Sequence, residues 1–427
     1  MSKPFAPPKI APEAAATVKF WQQVRLRLSL ILGTGVFVGI GIAADVAAAD
    51  AVWALTFAAV VALGNGWVEV ANVTPPEIPS HQTWLQFAAQ STLFLAKLTS
   101  GAAAALGVSG YLLSGLYHPA PIWLVPIALL VIVGLTRLSW RGRSLARLRR
   151  VTVMITAVSL LGLIGVGLLK ISQTSSAEAV LLAQANDRAT PIALLQATTL
   201  MTAAYAGFES LAPQPNFRSA RQLLSAIGLA IGLAWSLYLA VAIVGIQTVG
   251  AGVLGSSVTA SVAPLVMVMR SLALPGGVYL ITLGAVAAMS GMILSLLPQL
   301  TERLQHLNQA VSPPEAWPNQ EAETLSPQLA LGLVSLILSC ILWVGDVQTI
   351  WSFSAFAFLL HYALMHWAAL RQASAPRVCP RWLNGLGLVV CVGLAFWVEW
   401  SVWLVSLGLV ALGLVWRGMM LWTDEQG

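Results

Sequence analysis

Apolar runs of about twenty residues, each closed by a short polar link, recur from Leu28 to Trp416. That length matches a helix crossing the hydrocarbon core of a bilayer. The pattern predicts spans at about 26–44, 52–71, 85–113, 119–135 and 151–169 in the first half of the chain. In the second half, a sixth span starts near Pro191 and breaks around Gly207, and others follow at about 223–249, 278–297, 328–344, 349–370, 383–397 and 402–416. Residues 1–17, rich in Pro and Ala, read as a mobile tail, and the polar stretch 302–327 reads as a loop that leaves the membrane.

Two spans are interrupted. LGTGVFVGIG, residues 32–41, places four glycines inside the first, and each gives up roughly 0.8–1 kcal/mol of helix propensity against alanine. YAGFES, residues 205–210, interrupts the sixth and is followed by Pro213 and Pro215. Backbone freed at membrane depth is tolerated only where it lines a cavity or is buried in protein. A pair of interruptions at corresponding places in two halves is the pointer to a secondary transporter's binding site. The competing reading is that the glycines only permit close helix packing. Adjacent Gly33, Thr34 and Gly35 fit a break better.

Composition narrows the class. Of 427 residues 58% are hydrophobic and 9% charged, and the mean hydropathy is +0.81, far from the quarter of charged residues in soluble domains. The formal charge of +6 reflects topology rather than nucleic-acid binding. With twelve spans and a cytoplasmic amino terminus, eighteen Lys and Arg fall inside, among them Arg137, Arg141, Arg143, Arg147, Arg149 and Arg150, against three outside, Lys170, Arg188 and Arg270. Both termini are therefore expected in the cytoplasm, with the chain in the inner membrane. Residues 1–17 are not expected to act as a cleavable signal, since they hold no apolar core ahead of a cleavage site. Cys340, Cys379 and Cys391 lack CxxC spacing, so neither a disulfide framework nor a metal site is indicated. No HExxH or GxSxG motif points to an enzyme.

The residues carry a resemblance. Gly33, Thr34, Gly35, Val36 and Phe37 resemble the GSGIF-type first helix of the amino acid, polyamine and organocation transporter superfamily, and Gly207, Phe208 and Glu209 resemble its GFE element. Weaker matches are Glu69 at the end of the second helix, 303–314 after the eighth, and 351–371 in the tenth. The resemblance implies an all-α polytopic membrane protein of about twelve helices, with a 5+5 inverted repeat, broken helices 1 and 6, and two added C-terminal helices. Its parts would be a tail at 1–20, repeats at 21–171 and 172–371, and a final pair of spans at 372–427. The implied substrate is an amino acid or related small amine, its carboxylate on the N–H groups of Gly33, Thr34, Gly35 and Val36, where a restarting half-helix favours an anion. Its ammonium would meet the carbonyls of Ile31, Ala203 and Ala206, with Gly207 completing the break. No cofactor is implied, and coupling to protons or sodium stays open.

Lys97 falls mid-span, on a substrate-facing position if the third helix is aligned at Tyr111 and Leu112. An ammonium there faces the pocket, pairs with Glu209, or snorkels to the interface. Glu209 reads as a proton or gating site, or as a cap for the broken helix. Glu69 is expected to tie a helix end, and His361 and His366 to pack. The chain also departs from the family. Ala203 stands where many members carry an aromatic gate, so that lid is either missing or supplied by Tyr205, and Ser159 stands where proton-coupled members can carry a lysine. A transporter-fold sensor or accessory subunit is the alternative function. The partners expected are the small-molecule substrate and the lipid bilayer, and the sequence leaves the oligomeric state open.

Overall fold

The computed structural model describes residues 12–73, 84–116, 121–140, 146–173, 189–209, 220–311, 325–371 and 380–425. Every regular element among them is helical: α1 (Pro12–Ile31), α2 (Ile40–Ala47), α3 (Ala51–Val73), α4 (Trp84–Gly115), α5 (Leu124–Trp140), α6 (Ala146–Gln173), α7 (Pro191–Thr202), α8 (Ala220–Val249), α9 (Ala251–Ser261), α10 (Pro264–Ser271), α11 (Gly277–Val311), α12 (Pro327–Ile341), α13 (Val347–Arg371), α14 (Arg381–Ala395) and α15 (Trp400–Glu425), with short π and 3-10 turns between some of them. The protein is an all-α polytopic integral membrane protein. Nine stretches among the described residues are long and apolar enough to cross a bilayer. One of them, Gly35–Val70, runs the far half of the broken first span into the next one, while α14 is apolar but only 15 residues long.

The molecule is built around α4. Its 18-residue apolar window is 89% buried, because α11 and α13 lie along it and α5, α12 and α15 also pack against it. Small residues make this possible: a side chain on Gly107 would run into Met289 of α11, and one on Gly101 would meet Leu338 of α12 at 3.2 Å. Without a hydrophobic driving force between helices in lipid, such close seams supply the packing that holds them together. The pieces α1, α2 and α7 are enclosed by α3, α8 and α9.

Three expectations shift. Helix α1 already begins at Pro12, inside the stretch expected to be a mobile tail; residues 1–11 lie outside the described set. Helix α11 runs on to Val311 through Glu302, Arg303 and Gln305, where a loop was expected from 302. That polar segment keeps helical geometry while its side chains take polar partners such as the Gln90 amide and the Leu325 backbone carbonyl; residues 312–324 of the expected loop lie outside the described set. The sixth span breaks before its glycine, since Ala203–Tyr205 already forms a 3-10 turn.

Candidate functional site

The first break follows from its glycines. Helix α1 stops at Ile31, the Gly33 N–H turns back to the Ile31 carbonyl at 2.7 Å, and the chain re-enters helical geometry at Thr34 through a π turn, Gly35–Gly39. Single π turns inside helices frequently mark functional sites. A Cβ on Gly33 would overlap the Met292 sulfur, and one on Gly35 would sit 2.7 Å from the Tyr238 hydroxyl and 2.8 Å from the Ala204 Cβ. Thr34 Oγ1 donates to Met292 Sδ at 3.5 Å, and the Tyr111 hydroxyl donates to the Phe37 carbonyl at 2.7 Å.

The second break lies against the first. Thr190 caps α7 by accepting from the Ala193 N–H, with Pro191 in the first turn. After the 3-10 turn the chain passes in non-helical conformation through 206–209. Gly207 has φ +122°, and a Cβ there would fall 2.9 Å from that of Leu30, so glycine is required twice over. Tyr238 of α8 joins the two ends: its hydroxyl lies 2.6 Å from the Ile31 carbonyl and 3.0 Å from the Ala204 carbonyl. Of the other carbonyls expected to face an ammonium, that of Ala203 accepts the Ala206 N–H at 3.3 Å. Tyr205 is buried beside Tyr238, ring centroids 5.3 Å apart, and donates to the Leu55 carbonyl.

Lys97 and Glu209 form a pair, Nζ to Oε2 3.8 Å, with side chains 2% and 0% exposed. Lys97 does not reach an interface. It also donates to Gln299 Oε1 at 2.9 Å and to the Glu209 carbonyl at 3.4 Å. The carboxylate accepts from the Gly207 N–H at 2.8 Å and from the Tyr362 hydroxyl at 2.7 Å, so the broken helix, α4 and α13 converge on one buried carboxylate, and α11 joins them through Gln299 on Lys97. Buried charges survive when paired and hydrogen-bonded. Arg27, Arg303 and Glu69 are buried as well, with Arg303 donating to Gln90.

Ser159 stands apart from the breaks. Its Oγ donates to the Thr156 carbonyl and its side chain fills the space left by Gly284 of α11. A crevice between α1, α6 and α11 is lined by residues that include Ser29, Leu32, Thr152, Thr156, Gly291 and Ser295. The two histidines of α13 are buried. His361 Nδ1 donates to the Ala89 carbonyl at 2.8 Å, while His366 lies between Asn384 and Asn65, and the Cys391 thiol donates to Asn65 Oδ1 at 3.3 Å. Cys340 is exposed, and Cys379 lies outside the described residues. Among those described, no cluster of His, Cys, Asp and Glu has the make-up of a metal site.

Sequence reasoning did not single out Tyr238, Gln299, Tyr362 or Met292. The phenols carried a signal, because a mid-span tyrosine must find a partner for its hydroxyl. The amide and the thioether carried none. No family model matches the chain. Over 410 residues it is 25% identical to an uncharacterized transporter of Mycobacterium tuberculosis and, at the same identity, to an uncharacterized transporter of Mycobacterium bovis, covering 93% of this chain and 89% of each relative.

Proposed function

We propose that this protein is a secondary transporter that moves an amino acid or related small amine across the membrane by alternating access. The observation that carries the reading is the meeting of two interrupted helices, where the Ile31 and Ala204 carbonyls converge on one donor beside the restart at Thr34. A restarting helix leaves its first N–H groups without intrahelical acceptors and places positive dipole there, suited to a carboxylate. Carbonyls released at the other end suit an ammonium. The mycobacterial relatives that align along nearly the whole chain are named as transporters, which agrees with this class. An inverted repeat of spans 1–5 and 6–10 and cytoplasmic termini complete the proposal, as in the superfamily that the sequence resembles.

Two features bear on coupling. Glu209 ties the second break to α4 and α13 through Lys97 and Tyr362, so neutralising it would loosen both. Ser29, Thr156 and Ser295, lining the crevice behind the first break, each give their proton to a carbonyl of their own helix. Their oxygens keep lone pairs for a small cation such as sodium.

Uptake of labelled amino acids into vesicles containing the purified protein, with and without sodium and a pH gradient, tests the proposal. Saturable uptake stimulated by one gradient is the expected outcome. Absence of uptake and of binding across neutral, acidic and basic amino acids would overturn it. Glu209→Gln in the same vesicles should abolish or flatten the response to a pH gradient if protons are the coupling ion.

A further inference from the structure

We propose that Tyr238 is a specificity-determining residue whose hydroxyl holds the Ile31 carbonyl in the substrate-free protein and is passed to the Ala204 carbonyl when a substrate ammonium arrives. This rests on the amine-transporter reading above. The argument starts from lone pairs. A carbonyl oxygen has two, and those of Ile31 are both engaged, by the Tyr238 hydroxyl at 2.6 Å and the Gly33 N–H at 2.7 Å. An ammonium approaching Ile31 finds no vacant acceptor.

A phenol has one proton to give, yet Tyr238 stands within hydrogen-bond distance of two carbonyls. At 2.6 Å Ile31 is the nearer, and Ala204 at 3.0 Å is the underserved one. Rotating the O–H from one to the other needs no movement of the ring. The ring itself is held, because Tyr238 is fully buried and packs on Tyr205. The exchange therefore leaves every partner satisfied. The ammonium takes the lone pair on Ile31, and the phenol proton takes the one on Ala204.

Two further observations fit. Gly35 lacks the side chain that would crowd the hydroxyl at 2.7 Å, so the glycine that opens the first break also makes room for the exchanging group. Ile31 and Ala204 belong to different half-helices, so a single proton shift changes which one α8 holds. A substrate without an ammonium leaves the hydroxyl on Ile31 and gains nothing there, so the exchange is felt by amines alone. The residue thus sets how strongly amines are preferred, because an ammonium gains Ile31 only by moving the phenol from its shorter hydrogen bond to its longer one.

Tyr238→Phe tests this. In the purified full-length protein, binding of alanine and leucine is compared with that of propionate and 4-methylpentanoate, which lack the amine, by competition and by the shift in melting temperature. With the hydroxyl gone, the Ile31 carbonyl is vacant and the ammonium competes with nothing. The expected result is roughly 2- to 10-fold tighter amine binding, the size of one net hydrogen bond, with unchanged binding of the deaminated acids and a lower melting temperature without ligand. Amine binding to the wild type that is weakened or unaltered in Tyr238→Phe overturns the exchange while leaving the transporter reading in place. No binding of amines by either protein removes both. If Tyr238→Phe does not fold, Gly35→Ala gives a second arm: its Cβ pushes on the same hydroxyl, and a gain in amine over deaminated-acid preference is expected, with an unchanged preference counting against the proposal.

Discussion

At the scale of single residues, the buried Lys97–Glu209 pair sets the sharpest expectations. Removing one partner leaves the other charge stranded at a site shielded from water, which typically costs 3–5 kcal/mol. Lys97→Met and Glu209→Gln should each lower the melting temperature strongly, and the double variant should be less destabilised than the sum of the two, a coupling that a thermal double-mutant cycle reads directly. Additive effects would mean that the pair is not energetically joined. Lys97 also lies close enough to the second break, through Glu209 and Gly207, to bias substrate charge. In competition assays against a bound neutral amino acid, wild type should disfavour arginine relative to glutamate and leucine, and Lys97→Met should relax that order. Mid-span position made Lys97 conspicuous in the sequence. Its partner was one of three readings, because spacing along a chain does not say which side of a helix a neighbour 112 residues away will meet.

At the scale of elements, glycine seams decide how closely helices approach. Gly284 of α11 receives the Ser159 side chain of α6, so Gly284→Ala forces the two apart. It should destabilise the protein by about 1–3 kcal/mol, and Ser159→Gly in the same chain should restore much of the loss, as thermal unfolding in detergent would report. Failure of the second change to rescue would show that the seam tolerates the extra methyl by another route. Both breaks were legible as interruptions, the first by its four glycines and the second by Gly207 with Pro213 and Pro215 behind it. Their contact was not, because it depends on Leu30 meeting Gly207, two residues with no shared periodicity. Likewise the extension of α11 to Val311 was hidden by its polarity. A helix continuing beyond an apolar run loses the hydropathy signal while keeping its backbone geometry.

At the scale of the whole molecule, the apolar run lengths were sufficient for the class, and every regular element among the described residues is helical. The order of burial was not legible. Every span is apolar, so hydropathy cannot tell α4, enclosed on its sides, from α5, whose apolar window is 17% buried. What separates them is the density of small residues, since α4 carries the run GAAAALGVSG. The charge asymmetry makes a prediction at this scale. A cysteine placed at Arg143 in the arginine-rich link should react with an impermeant maleimide only in inside-out vesicles, whereas one at Arg270 should react only in right-side-out ones. The reverse pattern would invert the proposed orientation.

The polar knot of α13, α14 and α3 has a use beyond packing. Gly387 lets α14 press against the His366 ring, where any side chain would overlap it, and this closeness buries the Cys391 thiol completely against Asn65. Cys340, by contrast, is exposed. The protein therefore carries a concealed thiol whose chemistry is silent while α14 stays docked. A membrane-permeant alkylating reagent should consume Cys340 promptly and Cys391 only at the rate at which α14 lifts from α3 and α13. In a chain with Cys379→Ser, which leaves Cys340 and Cys391 as its two thiols, timing that second reaction during turnover by mass spectrometry of the intact chain would turn an inert side chain into a stopwatch for the motion of the helices around it.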